Sequence, residues 1–139
     1  MELKDIVAIN GKPGLFLIKA HAKGGIIVES MLDGKKFPVT ATHSISSLNE
    51  IAIYTYEEDL PLKIILKSIG EKENGKETIS HKESGKQLTS YFREILPNYD
   101  EERVYTSNIK KVIQWYNILA SKGFDFNKIE EQSEEPSNE

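Results

Sequence analysis

Histidines are the residues of this chain best suited to acid–base or metal chemistry, and their spacing limits what they can do. His21, His43 and His81 lie far apart in the sequence, and none has another histidine or a cysteine three or four residues away. Zinc sites usually include at least one such closely spaced pair of ligands. We therefore expect surface or structural roles for all three histidines.

Three further motifs match catalytic or phosphate-binding sites only in part. Ser44 follows His43 directly, which is not the geometry of a Ser/His pair, and no nucleophile-elbow pattern surrounds it. Residues 11–14, Gly-Lys-Pro-Gly, lack the spacing of a phosphate-binding loop and open a predicted strand rather than a helix. The acidic runs 57–59 and 100–102 precede or connect predicted helices, where carboxylates favour the positive end of the helix dipole. We therefore expect no catalytic residue, no metal site and no cofactor.

The first half of the chain has the alternating pattern of β-strands. Residues 15–22 and 26–31 are predicted strands joined by a tight turn at Lys23-Gly24-Gly25, and Asp33-Gly34 marks a second turn. Further strands are predicted at 36–41, 51–56 and 5–9. Five short antiparallel strands must curl to hide their apolar face, which favours a small SH3-like or OB-like β-barrel.

The second half has helical spacing. Apolar residues recur at helical intervals in three segments, each with a cap or stop signal. The predicted helices begin near Pro61, at Ser84 and after an N-cap at Thr106 or Ser107, and the last two end at Pro97 and Gly123. Gly70 is expected to interrupt or end the first helix. The pattern predicts an α+β protein in which a small β-barrel precedes a three-helix module.

The charged residues are unevenly distributed along the chain. Of the net charge of −4, residues 125–139 supply six acidic residues against one lysine, so the rest of the chain is close to neutral. We predict a β-barrel-like domain at 1–57, a helical domain at 58–125 and a disordered acidic tail at 126–139, because the tail has few apolar residues to bury.

Other global features bear on location and partners. A nearly neutral body gives no basic field of the kind that attracts nucleic acid. No apolar run approaches the ~20 residues that span a bilayer, and we expect neither a signal peptide nor contact with a membrane. The absence of cysteine fits a reducing, cytoplasmic compartment.

The last predicted helix carries a second strip outside its core stripe. At about 100° per residue, the strip consists of Lys111, Trp115, Ile118 and Lys122. An aromatic and an aliphatic residue between two lysines can pack on the β half, contact a protein partner or a second copy, or lie under nucleic-acid bases. All three interpretations stay open at this point.

The outer face of the predicted barrel is a second candidate surface. If their strands are neighbours, Lys19, His21, Tyr54 and Tyr56 line up on this face. Small barrels bind peptides or single strands through exposed aromatic residues, although helices can also cover such a face.

Four stretches carry a resemblance to a known family: Asn10–Leu15, Gly24–Ser30, Ile53–Glu58 and, most specifically, Leu96–Asn117. Through them the chain resembles an uncharacterised bacterial family of paired domains of unknown function, over nearly all of residues 1–125. The resemblance implies an N-terminal β domain followed by a small helical domain. It implies no activity, ligand or catalytic residue.

The sequence therefore favours a cytoplasmic binding or adaptor module that is not an enzyme. A protein partner or self-association fits best. The alternative is an RNA-binding accessory protein that uses an SH3-like barrel.

Overall fold

The computed structural model describes residues 2–40 and 44–129. His43 and the part of the predicted acidic tail from residue 130 onward lie outside the described residues. Within them, the chain forms a five-stranded antiparallel sheet, a separate two-stranded sheet and three α-helices.

The strands come first in the chain and the three α-helices follow. The strands are β1 (Ile6–Ile9), β2 (Phe16–Ala22), β3 (Gly25–Ser30), β4 (Lys36–Thr40), β5 (Ile45–Ser47), β6 (Ala52–Ile53) and β7 (Leu60–Pro61). The helices are α1 (Leu62–Lys72), α2 (Gly85–Ile95) and α3 (Thr106–Ser121). Short 3-10 helices occur at Leu3–Asp5, Leu48–Glu50 and Phe126–Lys128.

The β2–β3 hairpin confirms the clearest strand prediction. Gly24 supplies the positive φ, 82°, that its tight turn requires. The sheet continues to β4 on one side and to β1 and β5 on the other, in the order β4-β3-β2-β1-β5. The predicted α+β class is therefore correct.

The sheet is not the closed SH3-like or OB-like barrel that the sequence favours. Its edge strands, β4 and β5, are not neighbours in the described part of the chain. Only Ala52–Ile53 of the predicted strand 51–56 is a strand, and it pairs with β7 outside the main sheet. This segment lies outside the main sheet because the chain turns at Leu48–Glu50, where the Ser47 side chain accepts a hydrogen bond from Asn49 N (3.2 Å) and Leu48 is fully buried.

The three helices confirm the helical predictions. Ser84 Oγ accepts a hydrogen bond from Gln87 N (3.2 Å) and caps α2, which ends just before Pro97. Gly123, with φ of 75°, ends α3 as predicted, whereas the N-cap of α3 is Tyr105 and not Thr106 or Ser107. Gly70, in contrast, neither interrupts nor ends α1 but is buried within it.

One apolar core spans both halves of the chain. It joins Ile6 and Leu15 of the β half to buried residues of all three helices. The opposite face of the sheet has a smaller cluster around Phe16 and Val28. The division into separate domains at 1–57 and 58–125 stays a prediction.

The first residues of the predicted tail belong to this core. Phe126 and Ile129 are buried, and Phe126 lies against Gly70 of α1. Residues 126–129 are therefore part of the fold rather than of the predicted disordered tail, because Phe126 and Ile129 bind this segment to the core.

None of the helices in the described ranges has the length and apolar composition to cross a membrane.

Candidate interaction surface

Helix α3 places Trp115 where the β half meets the helices. Trp115 is partly buried and packs against the shared core, and Lys111, one turn earlier, is exposed. Ile118 is only 7% exposed and belongs to the core, whereas Lys122 is the C-cap residue beyond the last turn. The predicted strip therefore does not form one exposed surface. Ile118 is buried because α3 packs on a wider face than the single core stripe predicted from the sequence.

Lys111 and Trp115 line a groove at this junction, here named the Trp115 groove. It consists of two adjoining depressions of about 450 Å³ and 200 Å³, and Ile51, Lys111 and Trp115 line both. The larger depression runs to the β1–β2 turn at residues 10–14 and to β5. The smaller one runs to Tyr54 and Arg103.

Tyr54 is fixed at its end of the groove by a pairing of two loops. Thr55 pairs with Tyr99 in an isolated antiparallel bridge, and two backbone hydrogen bonds of 3.0 Å join residues 54–56 to residues 98–100. Thr55 is itself buried, and its Oγ1 accepts hydrogen bonds from the N–H groups two and three residues later, Glu57 N (3.1 Å) and Glu58 N (2.9 Å). The loop that presents Tyr54 is therefore held by hydrogen bonds on both sides.

Arg103 covers the ring of Tyr54. Its guanidinium carbon lies 4.2 Å from the ring centroid, and its Nε donates a hydrogen bond to Asp100 Oδ2 (2.8 Å). Asp100 Oδ1 also accepts a hydrogen bond from Glu102 N (3.0 Å). The hydrogen bond from Arg103, followed by that from Glu102 N, lowers the pKa of Asp100 below its ordinary value. At neutral pH a charged carboxylate thus holds the arginine in place.

Exposed aromatic and arginine side chains are concentrated around this point. Tyr54, Tyr56 and Tyr105 are 41%, 62% and 63% exposed. Both arginines of the chain, Arg93 and Arg103, lie here as well. Arg93 pairs at 2.9 Å with the carboxylate of residue 101, whose backbone N–H donates to the Tyr56 hydroxyl (3.2 Å). We name these five residues the Tyr–Arg surface.

The predicted outer β face does not form as one surface. Lys19 and His21 both lie on β2 of the five-stranded sheet. Tyr54 and Tyr56 follow β6, outside that sheet, and belong to the Tyr–Arg surface. The separation follows from the turn at residues 48–50, after which the chain leaves the five-stranded sheet.

The histidines of the described ranges do not come together. No group of three or more His, Asp or Glu side chains within these ranges is placed to hold a metal ion. His21 is on β2, and His81 lies between α1 and α2. Burial, and then the charges of Lys82 and Lys110, lower the pKa of His81.

Two tyrosine hydroxyls of the core have structural partners. Tyr91 Oη donates to Glu73 Oε2 (2.7 Å), and Tyr116 Oη donates to Lys76 O (2.6 Å). Burial raises the pKa of both tyrosines, that of Tyr116 to about 12. Both hydroxyls therefore act as protonated donors that hold the connection between α1 and α2.

A wider cleft, of about 720 Å³, lies near the N-terminal turn. Leu3, Lys63, Phe124 and Lys128 are among its walls. Ile129, the last described residue, also lines it.

Comparison with known proteins places the chain among relatives of unknown function. Residues 3–48 match a domain of unknown function (DUF5606), and residues 51–119 match a second one (DUF6852). No curated protein matches the chain. A solution NMR structure of a structural genomics target from Bacteroides vulgatus is 39% identical, covers 97% of this chain and 100% of its own, and superposes with a TM-score of 0.72. The chain thus belongs to the bacterial family in which these two domains of unknown function follow one another.

Proposed function

We propose that the chain is a cytoplasmic, non-enzymatic protein-binding module that docks its partner on the Trp115 groove and the Tyr–Arg surface. The observation that carries the proposal is the composition of this region. Trp, Tyr and Arg are the side chains most enriched at binding hot spots. Here Trp115, Tyr54 and Arg103 line one groove. Tyr56 and Arg93 both contact residue 101 beside it, and the exposed Tyr105 lies two residues after Arg103 in the chain.

The order of these side chains in the free protein also supports the proposal. Arg103 is held by Asp100 and stacked on Tyr54, and the loops beneath are joined by backbone hydrogen bonds. A surface that is already ordered loses less conformational entropy when a partner binds.

RNA binding is the second candidate function. Lys12, Lys111 and Trp115 line the larger depression, which has no carboxylate in its wall, and a lysine-flanked aromatic ring is a platform for a nucleic-acid base. Two observations weigh against RNA. The ammonium of Lys12 already lies 5.1 Å from the centroid of the Phe37 ring. At the other end of the groove, the exposed residues Glu57, Glu58 and Glu102 lie close in sequence to Tyr54 and Arg103.

Capture from native lysate tests the proposal. The immobilised chain is compared with a Tyr54→Ser/Arg103→Ser variant and with a control, Lys19→Ser/His21→Ser, which alters the rival surface on β2. Each sample is run with and without nuclease, and circular dichroism confirms that all variants are folded. We expect the wild type and the control to retain the same protein in both samples, and the Tyr54/Arg103 variant to lose it.

Two other results contradict the proposal. Loss of all captured protein on nuclease treatment favours the RNA-binding alternative. Loss in the Lys19/His21 variant alone moves the binding surface to β2.

A further inference from the structure

We infer that the Tyr–Arg surface accepts a basic segment of the partner protein, whose lysine or arginine side chains pack on the exposed tyrosine rings. This inference rests on the proposed function and specifies the chemistry of the partner.

One tyrosine of the surface already shows the contact in question. The ring of Tyr54 is covered by a guanidinium of the chain itself, at 4.2 Å. Tyr56 and Tyr105 are more exposed, and no lysine or arginine of the described residues covers either ring. Because a cation is attracted to the face of an aromatic ring, these two rings offer the same contact to a cation from outside.

The charges around the rings favour the same partner. Each arginine of the surface is paired with a carboxylate of residue 100 or 101. Glu57, Glu58 and Glu102 are exposed beside them and form no ion pair within the described ranges. The surface therefore carries an excess of negative charge, which attracts a basic segment and repels an acidic one.

Fluorescence polarisation with two labelled peptides tests the inference. The probes are a basic nonapeptide of three Gly-Lys-Arg repeats and an acidic one of three Gly-Glu-Asp repeats. The test variant is Glu58→Lys/Glu102→Lys, whose side chains have no hydrogen-bonding partner in the described residues. The matched control, Glu71→Lys/Glu77→Lys, makes the same change of net charge at two exposed positions elsewhere.

We expect the two probes and the variants to differ in affinity. The wild type binds the basic probe and not the acidic one. The test variant binds the basic probe about three- to tenfold more weakly, because two surface charges that attract the probe are reversed. The control variant stays close to the wild type. Tyr56→Phe, which keeps the ring, retains binding, whereas Tyr56→Ser weakens it.

Equal weakening in the control variant, or equal binding of both probes, overturns the inference, as does full binding by Tyr56→Ser. In that case, a protein whose capture survives nuclease treatment and depends on Tyr54 and Arg103 would still support the protein-binding function. The two failures are therefore distinguishable.

Discussion

At the scale of single residues, the proposed surface depends on side chains that hold other side chains. Asp100 holds Arg103 by a hydrogen bond, and Arg103 covers the ring of Tyr54. Thr55 holds the loop that follows Tyr54. Trp115 could be singled out from the sequence, because the helical period places it off the core stripe. The role of Arg103 could not, because it arises from the pairing of two loops that are more than forty residues apart in the sequence. The signal available was that both arginines of the chain lie within residues 93–103.

The charge on Asp100 makes a pH-dependent contribution to stability. Folding lowers the pKa of Asp100 from its ordinary 3.8, so the charged form stabilises the fold above about pH 4. This contribution is lost as the pH falls through the lowered pKa. We expect Asp100→Asn to lower the melting temperature at neutral pH, and the difference from the wild type to shrink in strong acid. A difference that stays constant over this range would show that the charge is not the stabilising factor.

Gly70 is a packing residue rather than a helix breaker. A Cβ at this position would lie 2.7 Å from the Cβ of Phe126. We expect Gly70→Ala to destabilise by about 1–3 kcal/mol through overpacking, as measured by urea unfolding. The control is Gly85→Ala in α2, where a Cβ lies 3.4 Å from the nearest atom, Thr106 Cγ2. If the two variants are equally stable, the contact between α1 and the segment 126–129 is not tight.

At the scale of elements, the connection between α1 and α2 has little regular structure but is well anchored. Asn117 of α3 accepts a hydrogen bond from Thr78 N (2.8 Å) and donates one to Ile79 O (2.9 Å). Tyr91 and Tyr116 bind the same connection through their hydroxyls. This anchoring could not be predicted from the sequence, because the bonded residues are far apart in the chain.

Removal of the Asn117 side chain should release this connection. Asn117→Ala leaves two backbone groups without partners, which costs about 1–3 kcal/mol. We expect lower stability in urea and faster hydrogen exchange at the Thr78 amide. Asn127→Ala, at an exposed position, is the control and should change stability by less than about 0.5 kcal/mol. Unchanged exchange at Thr78 would contradict the anchoring role of Asn117.

At the scale of the whole molecule, local sequence signals predicted the individual helices and the hairpin but not how the strands assemble. The three helices and the β2–β3 hairpin follow from caps, glycine turns and periodicity within short segments. In the described ranges the sheet stays open because β5, although it follows β4 in the chain, pairs with β1 at the opposite edge, and the chain then leaves the sheet at the turn of residues 48–50. The same turn carries Tyr54 away from β2 and to Arg103. The candidate surface was therefore only partly predictable, since it takes residues from both sides of that turn.

The most direct test of the account is to map the contact of the full chain with its captured partner by NMR. Amide and indole N–H signals of the labelled chain are recorded before and after addition of the purified partner. We expect shifts at the Trp115 indole and at residues 51–56 and 98–111, with the signals of β3 and β4 unchanged. Shifts confined to the five-stranded sheet, with Trp115 and Tyr54 unaffected, would contradict the proposed binding surface.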